Sequence, residues 1–229
     1  MGTHERPRLE PMPASRLHLV RHGEVHNPDR VLYGRLPGFG LSDLGTRMAQ
    51  ASATAWKDAG VDVRRIVASP LQRTQESAAP WSEAFGLDVR LDERLIEPTN
   101  RYEGQPPGFT KRSLGRPAEW PWIANPLRPS WGEAYESIAN RMLAAMTTAW
   151  ESVDGGDVVL VSHQLPIWMV HRRLAGEPLW HDPRKRRCDL SSITTVERVP
   201  ASSTGRFTEV GYADPAQDLR ATAVDEGAV

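Results

Sequence analysis

Short apolar runs alternate along the chain with longer stretches in which apolar residues recur every three or four positions. That alternation predicts strands followed by amphipathic helices. Residues 1–15 carry prolines and charges and are expected to form a disordered leader. Arg16-Leu17-His18-Leu19-Val20 reads as a buried strand, and residues 21–41 as a loop rich in glycine and proline. Ser42 is placed as the N-cap of a helix with Leu44, Met48, Ala51, Ala55 and Ala59 on its apolar face and Gly60 as its stop. Arg65-Ile66-Val67-Ala68 predicts a second strand. Ser69-Pro70 then predicts the cap and first turn of another helix. Leu87–Leu91 predicts a third strand at a sheet edge.

Residues 98–130 break the pattern. They hold seven prolines together with Trp120 and Trp122, and read as an irregular cap insertion over the sheet edge. Ser130-Trp131-Gly132-Glu133 has the spacing of a capping box. It predicts a long helix with Tyr135, Ile138, Met142, Met146, Ala149 and Val153 on one face, ended by Gly155-Gly156. Asp157–Ser162 is almost wholly apolar, as expected of a central parallel strand covered on both faces. A helix over Gln164–Ala175 follows. Residues 190–199 and 206–212 alternate like a hairpin around Ser202-Ser203-Thr204-Gly205. The acidic stretch over 213–229 is expected to be a mobile tail. The order predicts an α/β fold in a single domain over 16–212. Its architecture would be a three-layer sandwich, a mostly parallel sheet with helices on both faces and the cap insertion.

Composition narrows the function classes. The chain has 229 residues, 28 basic against 29 acidic, so its net charge of −1 gives no general pull toward nucleic acid or an anionic membrane. The basic run Arg184-Lys185-Arg186-Arg187 is flanked by Asp182 and Asp189 and reads as a solvated loop. A single cysteine, Cys188, leaves no internal disulfide or multi-cysteine zinc site and suits the cytosol. The N-terminal stretch lacks the apolar core of a signal peptide, and no run approaches a membrane span. A cytoplasmic protein is expected, with a small phosphorylated molecule as its partner. Oligomeric state stays open, although the hairpin could pair at a sheet edge to form a dimer.

The chemistry concentrates where predicted strands end. Arg21-His22-Gly23-Glu24 follows the first strand, Arg73 lies just past the second, and His163 closes the run Val161-Ser162. Ligands of open α/β sheets bind at that carboxyl edge. Two arginines and two histidines converging there would form an anion pocket containing a nucleophile.

Leu19-Val20-Arg21-His22-Gly23-Glu24, Ser69-Pro70-Leu71-Gln72-Arg73-Thr74 and Val161-Ser162-His163, in that order, resemble the histidine phosphatase superfamily, the phosphoglycerate mutase-like proteins. The resemblance implies that His22 is the nucleophile and forms a phosphohistidine. It implies that Arg21, Arg73 and His163 grip and stabilise the phosphoryl group, with Asn27 also touching it. Glu97 is the candidate general acid, with Glu103 as its rival. Glu24 is expected to orient the arginines, and His18 to belong to the core or to the surroundings of the site. No cofactor or metal is implied. Arg101, Lys111, Arg112 and Arg116 could read a second acidic group of the substrate. Three functions stay open: a phosphomonoester hydrolase, a phosphoglycerate mutase, and a phosphate-ligand binding protein without catalysis.

Overall fold

The computed structural model describes residues 13–106, 132–199 and 206–225. Most of the expected leader, the larger part of the insertion with Lys111, Arg112, Arg116 and its tryptophans, and the turn over 200–205 lie outside the described residues. Six strands form one sheet: β1 (Arg16–Arg21), β2 (Val63–Ala68), β3 (Val89–Leu91), β4 (Asp157–Ser162), β5 (Ile193–Arg198) and β6 (Phe207–Ala213). Their order is β3-β2-β4-β1-β5-β6. The first four are mutually parallel, and β5 and β6 add antiparallel ladders beside β1. The fold is therefore the α/β sandwich with a mostly parallel sheet that the alternation predicts.

The period-two alternation of β1 and β4 divides the core. Leu17, Leu19, Val158 and Leu160 face α3 (Tyr135–Trp150) and α4 (Gln164–Leu174), where Met142, Met146, Ile167 and Val170 meet them. Val20, Val159 and Val161 face the opposite way, toward α1 (Asp43–Asp58) and α2 (Gln72–Phe85), where Ala53, Ala78 and Trp81 close the second layer. Burial of each such aliphatic side chain contributes about 1.5–3 kcal/mol relative to exposure. His18 points into the second layer. Its Nδ1 lies 3.0 Å from Thr195 Oγ1 and its Nε2 3.1 Å from Asp157 Oδ2, so it is a satisfied core histidine. Among the described residues no helix is long and apolar enough to cross a membrane.

Ser42 caps α1 as expected, its hydroxyl accepting from Gly45 N–H at 2.9 Å. Two other starts differ. Ser69 does not cap α2, because its N–H still donates to Val161 O at 2.9 Å and so extends the sheet. The helix can begin only after the Pro70 turn, at Gln72. α3 begins at Tyr135 without a side-chain cap, because Gly132 is still extended and bridged to Asn100. Glu133 of the expected capping box instead binds Arg141 Nε at 2.9 Å. The basic run is also not uniformly solvated: Arg184 is exposed, whereas Arg186 is partly buried and donates to His181 Nε2 at 2.8 Å.

Residues 214–225 of the expected tail are placed against the fold. A short helix, α5 (Gln217–Arg220), lies there. Ala216 is buried with Met48 and Leu190, and Leu219 and Ala223 pack beside them. Those three residues recur every three or four positions, so they give the segment a small apolar face. Arg220 adds ion pairs to Asp189 at 2.5 Å and Asp214 at 3.0 Å.

One close approach fixes the loop after β1 against α1. A Cβ on Gly45 would sit 2.0 Å from Glu24 O, and one on Gly23 would sit 2.3 Å from Gly45 O. Both obstacles are backbone and cannot swing aside. Gly45→Ala is expected to cost about 1–3 kcal/mol of stability, the usual range for forced overpacking. Thermal denaturation of the variant checks this, and an unchanged melting temperature would contradict it.

Candidate active site

The carboxyl ends of three strands coincide, with Arg21 opposite Ser162 on β4 and Ala68 opposite Val161. The next residue of each strand is a site residue. His22 N–H donates to Ser162 O at 3.1 Å and Ser69 N–H to Val161 O at 2.9 Å, so sheet hydrogen bonding runs into the site itself. His163 follows β4 directly and is the extended residue that opens α4. Arg73 stands in the first turn of α2.

His22, Arg21, Arg73, His163 and Glu97 are all buried and gather at this edge. His22 Nδ1 lies 2.7 Å from Gly23 O. A carbonyl can only accept, so Nδ1 carries the hydrogen and Nε2 keeps its lone pair. Arg73 Nε–H donates to that Nε2 at 3.3 Å. Arg73 also donates through Nη2 to Gly34 O at 2.8 Å and lies 4.8 Å over the Tyr33 ring. The His163 ring sits edge-on to that of His22, with centroids 5.2 Å apart. Its Nε2 is 2.8 Å from Ser69 Oγ, and its Nδ1 is 3.3 Å from Glu97 Oε2. Arg21 donates through Nη1 to Cys188 O at 2.7 Å and to Asp225 Oδ2 at 2.8 Å, and through Nη2 to Asp225 Oδ1.

A model of the histidine phosphatase superfamily (branch 1) matches residues 17–207. The chain belongs to this superfamily. It is 46% identical over 202 residues to the uncharacterized protein Rv0525 of Mycobacterium tuberculosis, covering 88% of this chain and 97% of that one. It is 28% identical over 190 residues to the probable phosphoglycerate mutase GpmB of Escherichia fergusonii, covering 79% and 85%. Among solved structures it is similar to mycobacterial glucosyl-3-phosphoglycerate phosphatase Rv2419c in complex with inorganic phosphate. That match has a TM-score of 0.66 and 28% identity, and covers 88% of this chain and 98% of that one. The superfamily thus includes both phosphatase-type and mutase-type proteins among this chain's relatives.

Burial and crowded cations set the protonation of the superfamily motif residues here. Burial, reinforced by the charges of Arg73 and Arg21, holds the His22 imidazole well below the usual histidine range. Burial and Arg73 do the same to His163. Glu97 moves the other way: burial pushes its carboxyl up to about 7, although Arg73, Arg186, Arg21 and Arg141 pull against the rise. Burial draws Arg21 down, but the adjoining Asp225 carboxylate more than offsets this and leaves the guanidinium raised. Three buried polar atoms, Arg21 Nε, His163 Nδ1 and Glu97 Oε1, find no hydrogen-bond partner among the described residues. Buried polar atoms without partners are costly, and a polar ligand could satisfy these three.

Not every expected residue joins the cluster. Asn27 spends its amide locally, donating to Val31 O at 2.8 Å and accepting from Val31 N at 3.1 Å. Glu103 accepts from Asn100 N–H at 3.1 Å and closes the turn over 100–103, leaving Glu97 as the carboxyl beside His163. Among the described residues Glu24 is given no arginine partner. It accepts from the Ser42 hydroxyl and, at 2.6 Å, from Val224 N–H. Sequence reasoning missed Ser69 as a partner of His163, Tyr33 beneath Arg73, and Asp225. Ser69 sat within a quoted motif but read as a helix cap, and Asp225 carried no local signal.

The raised Glu97 carboxyl has a sign-definite effect on stability. The folded state holds this proton more tightly than the unfolded chain, whose carboxyl has the ordinary value of 4.5. Stability from this group is therefore full below pH 4.5 and is lost as pH rises toward about 7. Glu97→Gln removes the titration. The melting temperature of the variant minus that of wild type is expected to increase across that window. A constant difference in thermal scans would contradict it.

Proposed function

We propose that this chain is a metal-independent phosphomonoester hydrolase that acts on a small phosphorylated metabolite through a phosphohistidine at His22. The observation that carries the reading is the His22 Nε2 lone pair, held beside Arg73 in a buried cluster where Arg21 Nε and His163 Nδ1 find no hydrogen-bond partner among the described residues. The phosphate complex of the related Rv2419c phosphatase supports it. In the first step the Nε2 lone pair attacks phosphorus and the ester P–O bond breaks. Glu97, which is substantially protonated near neutrality, gives its proton to the departing oxygen. In the second step the Glu97 carboxylate takes a proton from water. That water displaces the phosphoryl group from Nε2 and frees inorganic phosphate.

The surrounding cations act on the phosphoryl oxygens. Arg21 and Arg73 supply permanent charge, and each can present more than one N–H. A bound phosphoryl dianion would favour protonation of His163, which would then donate through Nδ1. Such fixed donors in a site of low polarity stabilise charge as it spreads over the transferring group. Ser69 and Gly23 act through the histidines, holding their rings in place.

The test is phosphate release from a panel of phosphomonoesters, in the presence of EDTA, by wild type and His22→Ala. Wild type is expected to turn over at least one class, and the variant to lose more than about 10³-fold. For wild type, kcat/KM is expected to fall as pH rises above about 7, because the acid form of Glu97 disappears. Glu97→Gln should lose that limb along with about 10²–10⁴-fold of the rate. Near-normal turnover by His22→Ala would falsify the reading. A phosphoglycerate returned as its isomer, without free phosphate, would replace it with mutase chemistry.

A further inference from the structure

We infer that Asp225 is a positioning residue for Arg21: a carboxylate brought from the C-terminal segment that sets the guanidinium for phosphoryl binding. The inference rests on the reading of Arg21 as a phosphoryl ligand. Arg21 is wholly buried, whereas the Asp225 side chain is 40% exposed, so the carboxylate meets the guanidinium from the solvent side. Both terminal nitrogens are engaged, Nη1 by Asp225 Oδ2 and Cys188 O and Nη2 by Asp225 Oδ1. Nε is the nitrogen left without a partner among the described residues. A fork of two hydrogen bonds fixes the plane of the guanidinium, and with it the direction of Nε–H.

The segment is built to deliver this carboxylate. Val224 N–H donates to Glu24 Oε1 at 2.6 Å, one residue before Asp225. The motif Arg21-His22-Gly23-Glu24 therefore holds the C-terminal segment at its first and last positions. Ala216, Leu219 and Ala223 seat the preceding turn against Met48 and Leu44. Arg220 ties the segment to Asp189, next to the Cys188 whose carbonyl shares Arg21.

Two consequences follow for an anion in the pocket. A long side chain already fixed in one geometry loses less freedom when it binds. In addition, a buried guanidinium deprived of its carboxylate would be left poorly compensated and free to turn away.

Calorimetric titration of the full chain with inorganic phosphate tests this without needing turnover. The comparison is between wild type, Asp225→Asn, Asp225→Ala and Asp225→Glu. The dissociation constant is expected to rise about 10- to 100-fold in the Asn and Ala variants, the range for losing a partner that orients a binding group. Asp225→Glu should recover part of the loss, which a role in packing alone would not produce. For esters that wild type hydrolyses, kcat/KM should fall in parallel. Unchanged phosphate affinity in Asp225→Asn would overturn the inference. So would tighter binding, which would make the carboxylate a plug. A wild type that binds phosphate yet hydrolyses no ester sinks the hydrolase reading and leaves Asp225 measurable. A wild type that binds no phosphate sinks both.

Discussion

The shared register of β1, β2 and β4 is the constraint on which the site depends. With Arg21 opposite Ser162 and Ala68 opposite Val161, three strands end at one level. Each then hands its next residue to the same small volume. A slip of one residue would turn His22 or His163 to the other face of the sheet. The slip is opposed by the whole core, since every strand residue from Val158 to Val161 is fully buried. Packing far from the pocket therefore fixes the separation of the two imidazoles.

Within that frame, the site concentrates cations where water is excluded. Arg21 and Arg73 are almost completely buried, and both histidines stay neutral beside them. The carboxyl beside His163 tends to keep its proton despite four nearby arginines. Desolvation wins over attraction there because none of the described contacts of Glu97 is a direct arginine fork to its carboxyl group; Arg35 binds its backbone carbonyl instead. The contrast with Arg21 is instructive, because a direct carboxylate fork reverses the effect of burial. In the same low polarity, Glu97 thus tends toward its neutral form and Arg21 keeps its charge, according to which hydrogen bonds are made.

Much of this was legible in the sequence. Apolar runs closed by Arg21-His22-Gly23 and by Ser162-His163 announce strand ends bearing chemistry, and helical periodicity supplied the layers between them. What stayed hidden depends on contacts across the sheet. Ser69 before Pro70 has the local look of a cap, and only the ladder bond to Val161 shows that the strand has not yet ended. Asn27 looked available for a ligand, yet an amide four residues before a free backbone N–H and C=O closes on them first. Asp225 is one of several acids near the C-terminus. Its partner lies 204 positions away, beyond the reach of any local pattern.

Cys188 shows what the same burial does to sulfur. Its carbonyl holds Arg21, but its thiol is buried and pushed up to about 12. Thiolate is the form that oxidants and alkylating agents attack. The chain's one sulfhydryl therefore belongs to a residue whose carbonyl holds the anion-binding machinery, yet burial keeps it in the thiol form. Buried and held as S–H, it is a poor target for peroxide or iodoacetamide, although it sits beside an arginine.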